Sequence, residues 1–207
     1  EELKDSTFRQ LSCEDKKAYV LPYIKEVTQK EIYDIVPVLY LVKKEYILQH
    51  QLGFAEGHFY EDQLYTLQLL SQPEASIVKI RFPFYYYRMD RPGSTTNHMT
   101  QKKGLDAAYI CEQMYLHIQQ NIAADTKSYY DAILLISLYQ YYSVYLRIKR
   151  CDRKKIRDML DLEKMVSSLE ANSYCHLRNE LDHFLRKRKT VELKWDIKQF
   201  IRKLLRR

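Results

Sequence analysis

The second half of this 207-residue chain has neither glycine nor proline. All four Gly (53, 57, 93 and 104) and all five Pro (22, 37, 73, 83 and 92) lie at or before Gly104. Both residues punctuate turns and strand ends, so their absence afterwards argues against a strand-and-turn architecture there and for long helices. Cysteine is sparse too. Cys13, Cys111, Cys151 and Cys175 form no C-x-x-C pair, which argues against a disulfide scaffold or a zinc knuckle and leaves reduced cytoplasmic thiols as the simplest reading. No glycine-rich phosphate loop and no Asp-x-Asp occurs. No signal peptide is visible, and residue 1 is Glu, so the chain is expected to start inside a longer gene product.

What is present is apolar and aromatic. The chain is 46% hydrophobic, with 19 Tyr, 7 Phe and 1 Trp, which excludes a disordered polymer and suffices for one good core. Charge divides where the punctuation does. Residues 1–104 carry 14 basic and 14 acidic side chains, so the net +7 resides wholly in 105–207. The last stretch, 186–207, has ten basic and two acidic groups.

In the first part, Ser12-Cys13-Glu14-Asp15 reads as a capped helix start running through Tyr19 and Ile24. Tyr33–Leu41 reads as an irregular strand, Lys43–Gln49 as a short helix, and Phe54–Tyr60 as a loop. A helix follows over Gln63–Leu70, with Leu64, Leu67 and Leu70 on one face, and then a strand from Ile77 that Phe84–Arg88 extends. The second part predicts helices at Leu105–Ile122, Ser128–Ile148, Lys154–Glu170, Ser173–Phe184 and Glu192–Leu205.

Two short segments carry a family resemblance. Leu52-Gly-Phe-Ala-Glu-Gly-His-Phe-Tyr-Glu61-Asp62 leads into a helix, and Phe84-Tyr-Tyr-Tyr-Arg88-Met-Asp-Arg91-Pro-Gly-Ser94 follows a strand. Together with Pro37–Ile47, they resemble the second half of the catalytic domain of bacterial family 2 glycosyltransferases, inverting enzymes of the GT-A fold. The resemblance covers residues 10–100. It implies that Asp62 is the general base that takes a proton from the acceptor hydroxyl, with Glu61 orienting the acceptor. A sugar hydroxyl is a poor nucleophile until its proton has a destination, and such a base contributes about 10²–10⁴-fold. As an ordinary N-cap, the same Asp would instead contribute about 1 kcal/mol, with its pKa lowered by the helix N-terminus. Arg88, Arg91, Ser94 and His98 would face the donor diphosphate or the acceptor, where an Arg fork suits phosphate oxygens. His58 reads as an acceptor contact or an idle loop residue.

The family's nucleotide-binding half, with its Asp-x-Asp for Mg²⁺ or Mn²⁺, has no counterpart in the sequence. The resemblance thus implies a divalent metal whose ligands are not in this chain. Asp158 and Asp161 read as ordinary exposed acids on a basic helix.

Tyr129–Ile148 is about the length of a membrane span. It contains Asp131, Gln140, Arg147, two Ser and six Tyr, so a helix buried in a bundle is expected instead. Glu192–Arg207 is amphipathic: Leu193, Ile197, Phe200, Ile201 and Leu204 share a face opposite Lys194, Lys198, Arg202, Lys203 and Arg206, with Trp195 at the boundary. This is the make-up of a helix that docks peripherally on anionic lipid through 192–207, or of one that packs on the bundle with a solvated basic face.

The expected fold is α+β and predominantly helical. Residues 1–104 would form the acceptor-side half of a GT-A domain, and 105–207 a helical extension. The expected partners are a nucleotide-sugar donor and a glycan or lipid-linked acceptor, and the expected location is the cytoplasm or the inner face of the cell membrane. The alternatives are a noncatalytic interaction module and a basic helical nucleic-acid binder. The latter rests on the run Arg147, Lys149, Arg150, Arg153, Lys154, Lys155 and Arg157, but no binding module is recognisable and the first half is neutral.

Overall fold

The computed structural model describes residues 18–31, 37–72, 76–78 and 98–205. The Ser12 helix start, the Phe84–Arg88 strand and Arg88, Arg91 and Ser94 therefore lie outside the described residues. Within them the chain is predominantly helical, as expected. The helices are α1 (Val20–Gln29), α2 (Lys44–Gln49), α3 (Glu61–Leu70), α4 (Gln101–Asn121), α5 (Lys127–Arg147), α6 (Arg150–Arg157), α7 (Leu162–Ser168) and α8 (Cys175–Leu204). Two short strands, β1 (Ala18–Tyr19) and β2 (Ser76–Ile77), pair antiparallel, with Ala18 opposite Ile77 and Tyr19 opposite Ser76.

The differences from the sequence reading have local causes. Tyr19 is in β1 rather than in a helix, which starts only at Val20. Pro37–Leu39 is a 3₁₀ turn, not a strand, consistent with a proline that removes a ladder donor. Helix α4 starts at Gln101, before Gly104, because Thr100 caps it by accepting from Lys103 N (3.3 Å). Gly104 breaks nothing: a Cβ there would stand 2.5 Å from Ile156 Cδ1, so the glycine lets α4 approach α6 closely. The single helix expected over Lys154–Glu170 is two. Asp158 takes the C-cap of α6, and Asp161 caps α7 by accepting from Lys164 N (3.0 Å). The two helices expected after Ser173 are present as the two arms of α8, which meet without a loop at a kink where Lys187 leaves helical geometry (φ −122°, ψ 28°).

Helix α5 is the centre of the fold. Thirteen of its 21 residues are buried, more than one face can hold. It packs against α4 and α8, and also against α1 and α3 from the first part of the chain. The composition break at Gly104 is thus bridged by one hydrophobic cluster, in which Ile24, Leu67 and Leu70 join Met114, Leu134, Leu138 and Phe184. Most polar groups of α5 find partners, although one Asp131 oxygen (Oδ1) and Ser137 Oγ are buried without one. Tyr130 donates to the Leu70 carbonyl (3.1 Å), and fully buried Asp131 pairs with Lys127 (2.5 Å) and accepts from Glu170 N (2.8 Å). No helix among the described residues is long and apolar enough to cross a membrane.

The far end of α5 is closed by Arg153, only 4% exposed. Its Nε donates to the Ile148 carbonyl (3.2 Å) and one terminal nitrogen to the Leu146 carbonyl (2.8 Å), satisfying acceptors that a helix end leaves open. The terminal nitrogens also grip both carboxylate oxygens of Asp196 on α8 (2.7 and 3.2 Å), and nearby Tyr145 donates to Glu192 (2.6 Å). One member of the basic run offered for nucleic acid is therefore spent inside the protein. Arg153→Ala strands Asp196 and two carbonyls, and is expected to cost about 2–4 kcal/mol in urea denaturation. A loss below about 0.5 kcal/mol would show the clamp to be incidental.

Candidate active site

The loop from Leu52 to Tyr60 brings the Glu61–Asp62 pair to the bundle. It leaves α2 through Gln51 in the left-handed region (φ 51°), with Leu52 N bonded to the Ile47 carbonyl (3.0 Å). It turns at Gly57 (φ 78°), where a Cβ would be strained, and enters α3 through Tyr60, itself left-handed (φ 67°). A non-glycine residue there costs about 1–2 kcal/mol, so the surrounding contacts must hold it.

Asp106 on α4 supplies that hold. Its Oδ2 accepts from Phe59 N (3.0 Å) and from Lys102 Nζ (2.7 Å), and its Oδ1 faces His58 Nδ1 (3.2 Å). Lys102 also donates to the Gly57 carbonyl (2.7 Å), and the ammonium groups of Lys102 and Lys103 lie 5.5 and 5.1 Å from the centre of the Phe59 ring. His58 stacks on Tyr109 at 4.3 Å and 14° between planes. Burial pushes the Asp106 carboxyl up, but the Lys102, Phe59 and His58 hydrogen bonds outweigh it and hold the group below the usual carboxylate range. His58 is accordingly a structural residue in this arrangement, taken up by Asp106 and Tyr109.

Asp62 differs in position and in electrostatics from the N-cap expectation. Tyr60 occupies the N-cap position, with its carbonyl accepting from Gln63 N (3.1 Å), so Glu61 and Asp62 are the first two helical residues. Asp62 is half-buried. Burial is the largest influence and raises its pKa, the Glu61 carboxylate raises it further, and backbone N–H groups at Gln63 and Asp62 offset only part. The sequence reading expected a lowered value from the helix end. Desolvation and the adjacent like charge reverse the sign. The next residue, buried Gln63, anchors the turn by donating to Gln140 of α5 (2.9 Å).

Cations gather on the same side. The Tyr60 phenol is pushed up chiefly by burial, eased by Arg147 and raised again by Asp106 and Asp62. Buried Lys103 is lowered by desolvation and then by Arg147, and its ammonium donates to the His98 carbonyl (2.6 Å). Tyr60 thus lies within electrostatic reach of Asp62, Asp106 and Arg147, the last an exposed residue closing α5. His98 is exposed and sits beside this group through its backbone. The sequence reading did not single out Lys102, Lys103 or Asp106 as site residues. Lys102–Asp106 has the i, i+4 spacing of a helix pair, but the partners on the Gly57–Phe59 loop, about 45 positions earlier, leave no such trace.

No protein-family description, curated protein or solved structure matches this chain. Among the described residues, no group of three or more His, Cys, Asp or Glu side chains could hold a metal ion. A half-open cavity of about 370 Å³ lies elsewhere, between Tyr141, Leu160, Leu162 and Phe184, with Arg157 and Arg188 on its wall.

Because the folded chain holds the Asp62 proton to higher pH than the unfolded chain does, ionisation of Asp62 costs stability as pH rises through the raised value. Asp62→Asn is therefore expected to melt about 1–3 °C higher than wild type at pH 7, with the gain vanishing near pH 4. A lower melting temperature at pH 7 would mean that the carboxylate is a stabilising helix-end charge after all.

Proposed function

We propose that this chain is the acceptor-side part of an inverting glycosyltransferase of the GT-A type, in which Asp62 is the general base and Glu61 orients the acceptor hydroxyl. The observation that carries the reading is the state of Asp62: a half-buried carboxylate in the first turn of α3, with its pKa raised by desolvation and by Glu61. A base with a raised pKa drives proton removal further than an ordinary aspartate. As the acceptor oxygen attacks the anomeric carbon and the bond to the donor's diphosphate breaks, the hydroxyl proton passes to Asp62. The negative charge leaves with the diphosphate.

The Arg147 charge, which acts on both Tyr60 and Lys103, supports the same reading, because a cation there favours an anionic donor fragment close to the base. Arg88, Arg91, Ser94 and His98 are proposed as donor or acceptor contacts on the resemblance alone. So is the divalent metal, Mg²⁺ or Mn²⁺, held by an Asp-x-Asp outside this chain. The nucleic-acid alternative draws less support, since Arg153 of its basic run is consumed by Asp196 and backbone carbonyls.

The test is transfer from UDP- and GDP-sugars to glycan and lipid-linked acceptors by the natural gene product, with Asp62→Asn beside wild type. The variant is expected to lose about 10²–10⁴ in kcat while the KM for donor changes little. Undiminished kcat would remove Asp62 from the chemistry. The 207 residues by themselves are expected to show no sustained turnover, and robust transfer by this chain alone would refute the division of labour proposed.

A further inference from the structure

We infer that the outer face of the last part of α8 is a docking surface for an anionic phospholipid bilayer. The argument starts from where the acids go. Between Lys187 and Leu205 the only acidic side chains are Glu192 and Asp196. Both turn inward, Glu192 accepting from Tyr145 (2.6 Å) and Asp196 paired with buried Arg153 (2.7 Å). Val191 and Trp195 also lean on the hydrophobic cluster. The segment is thus held against the bundle by one side, and that side consumes all of its negative charge.

What remains outside is apolar and cationic. Leu193, Ile197, Phe200, Ile201 and Leu204 are 48–64% exposed. At about 100° per residue they fall within an arc roughly 100° wide. Lys194 and Lys198 border the arc on one edge and Lys189 and Lys203 on the other, all four exposed. The kink at Lys187 separates this segment from the earlier part of α8, where Leu181 and Phe184 are buried in the core. A phosphate surface would complement the cations but leave five large apolar side chains in water. A neutral apolar partner would strand the cations. An anionic bilayer satisfies both, with the apolar arc among the acyl chains and the lysines at the headgroups.

The experiment is co-sedimentation of the full chain with phosphatidylcholine vesicles that contain about one-third phosphatidylglycerol, against pure phosphatidylcholine. Wild type is expected to bind the anionic vesicles and to leave the neutral ones in the supernatant. Phe200→Glu/Leu204→Glu and Lys194→Glu/Lys198→Glu are each expected to weaken binding roughly tenfold or more. All substituted positions are exposed, so unchanged melting temperatures verify that the variants fold. Equal binding to both vesicle types, or wild-type binding by the Phe200/Leu204 variant, would overturn the proposal. Self-association of wild type in dilute solution that Phe200→Glu/Leu204→Glu abolishes would overturn it in favour of a second copy on this face. Oligonucleotide binding that only the lysine variant loses would overturn it in favour of nucleic acid.

Discussion

A helix buried over most of its surface fixes the arrangement of everything around it. Helix α5 is such a helix, and its environment must do two things at once: cover its apolar residues and meet the polar groups it carries inward. Helices from both sides of the Gly104 composition break share the first task, which is why the near-neutral and the basic stretches contribute to one core. The second task is met in part by specific partners: Leu70 for the Tyr130 hydroxyl, Lys127 and Glu170 for one Asp131 oxygen, and Gln63 for Gln140. Each is a directional demand in a low-dielectric setting, where an unmet group costs about 1–3 kcal/mol. Two of them, Tyr130 to Leu70 and Gln63 to Gln140, tie the two ends of α3 to the bundle.

The second of these ties holds the first turn of α3, in which Asp62 lies. The residue lies one position before Gln63, so the Gln63–Gln140 bond places its turn, while Asp106 places the loop that leads into it. The two aspartates divide the work. Asp106 is surrounded by donors and sits below its ordinary pKa, a structural tie. Asp62 is desolvated beside a like charge and sits above it.

Much of the helical layout was legible in the sequence because it rests on local chemistry. The absence of Gly and Pro after Gly104 foretold long helices, and the mixture of Tyr, Asp and Gln with aliphatics in 129–148 foretold a buried helix rather than a membrane span. The misreadings arose where one residue has two local meanings. Gly104 reads as the last turn signal before a helix at Leu105, yet it lies inside α4 and serves a close helix contact. Asp161 looked like a surface acid, yet caps a new helix. The site was half legible. Glu61 and Asp62 stand together in a recognisable motif, whereas the Asp106 tie joins residues that neither periodicity nor spacing connects. The sign of the Asp62 shift depends on burial, and burial is a property of the folded chain.

The final turn of α5 faces two ways. Arg147 acts on Tyr60 and Lys103 on one side, while Tyr145, two residues earlier, grasps Glu192 on the other. One helical turn thus serves two neighbours, its cation easing ionisation of the Tyr60 phenol and its hydroxyl spent on the carboxy-terminal helix.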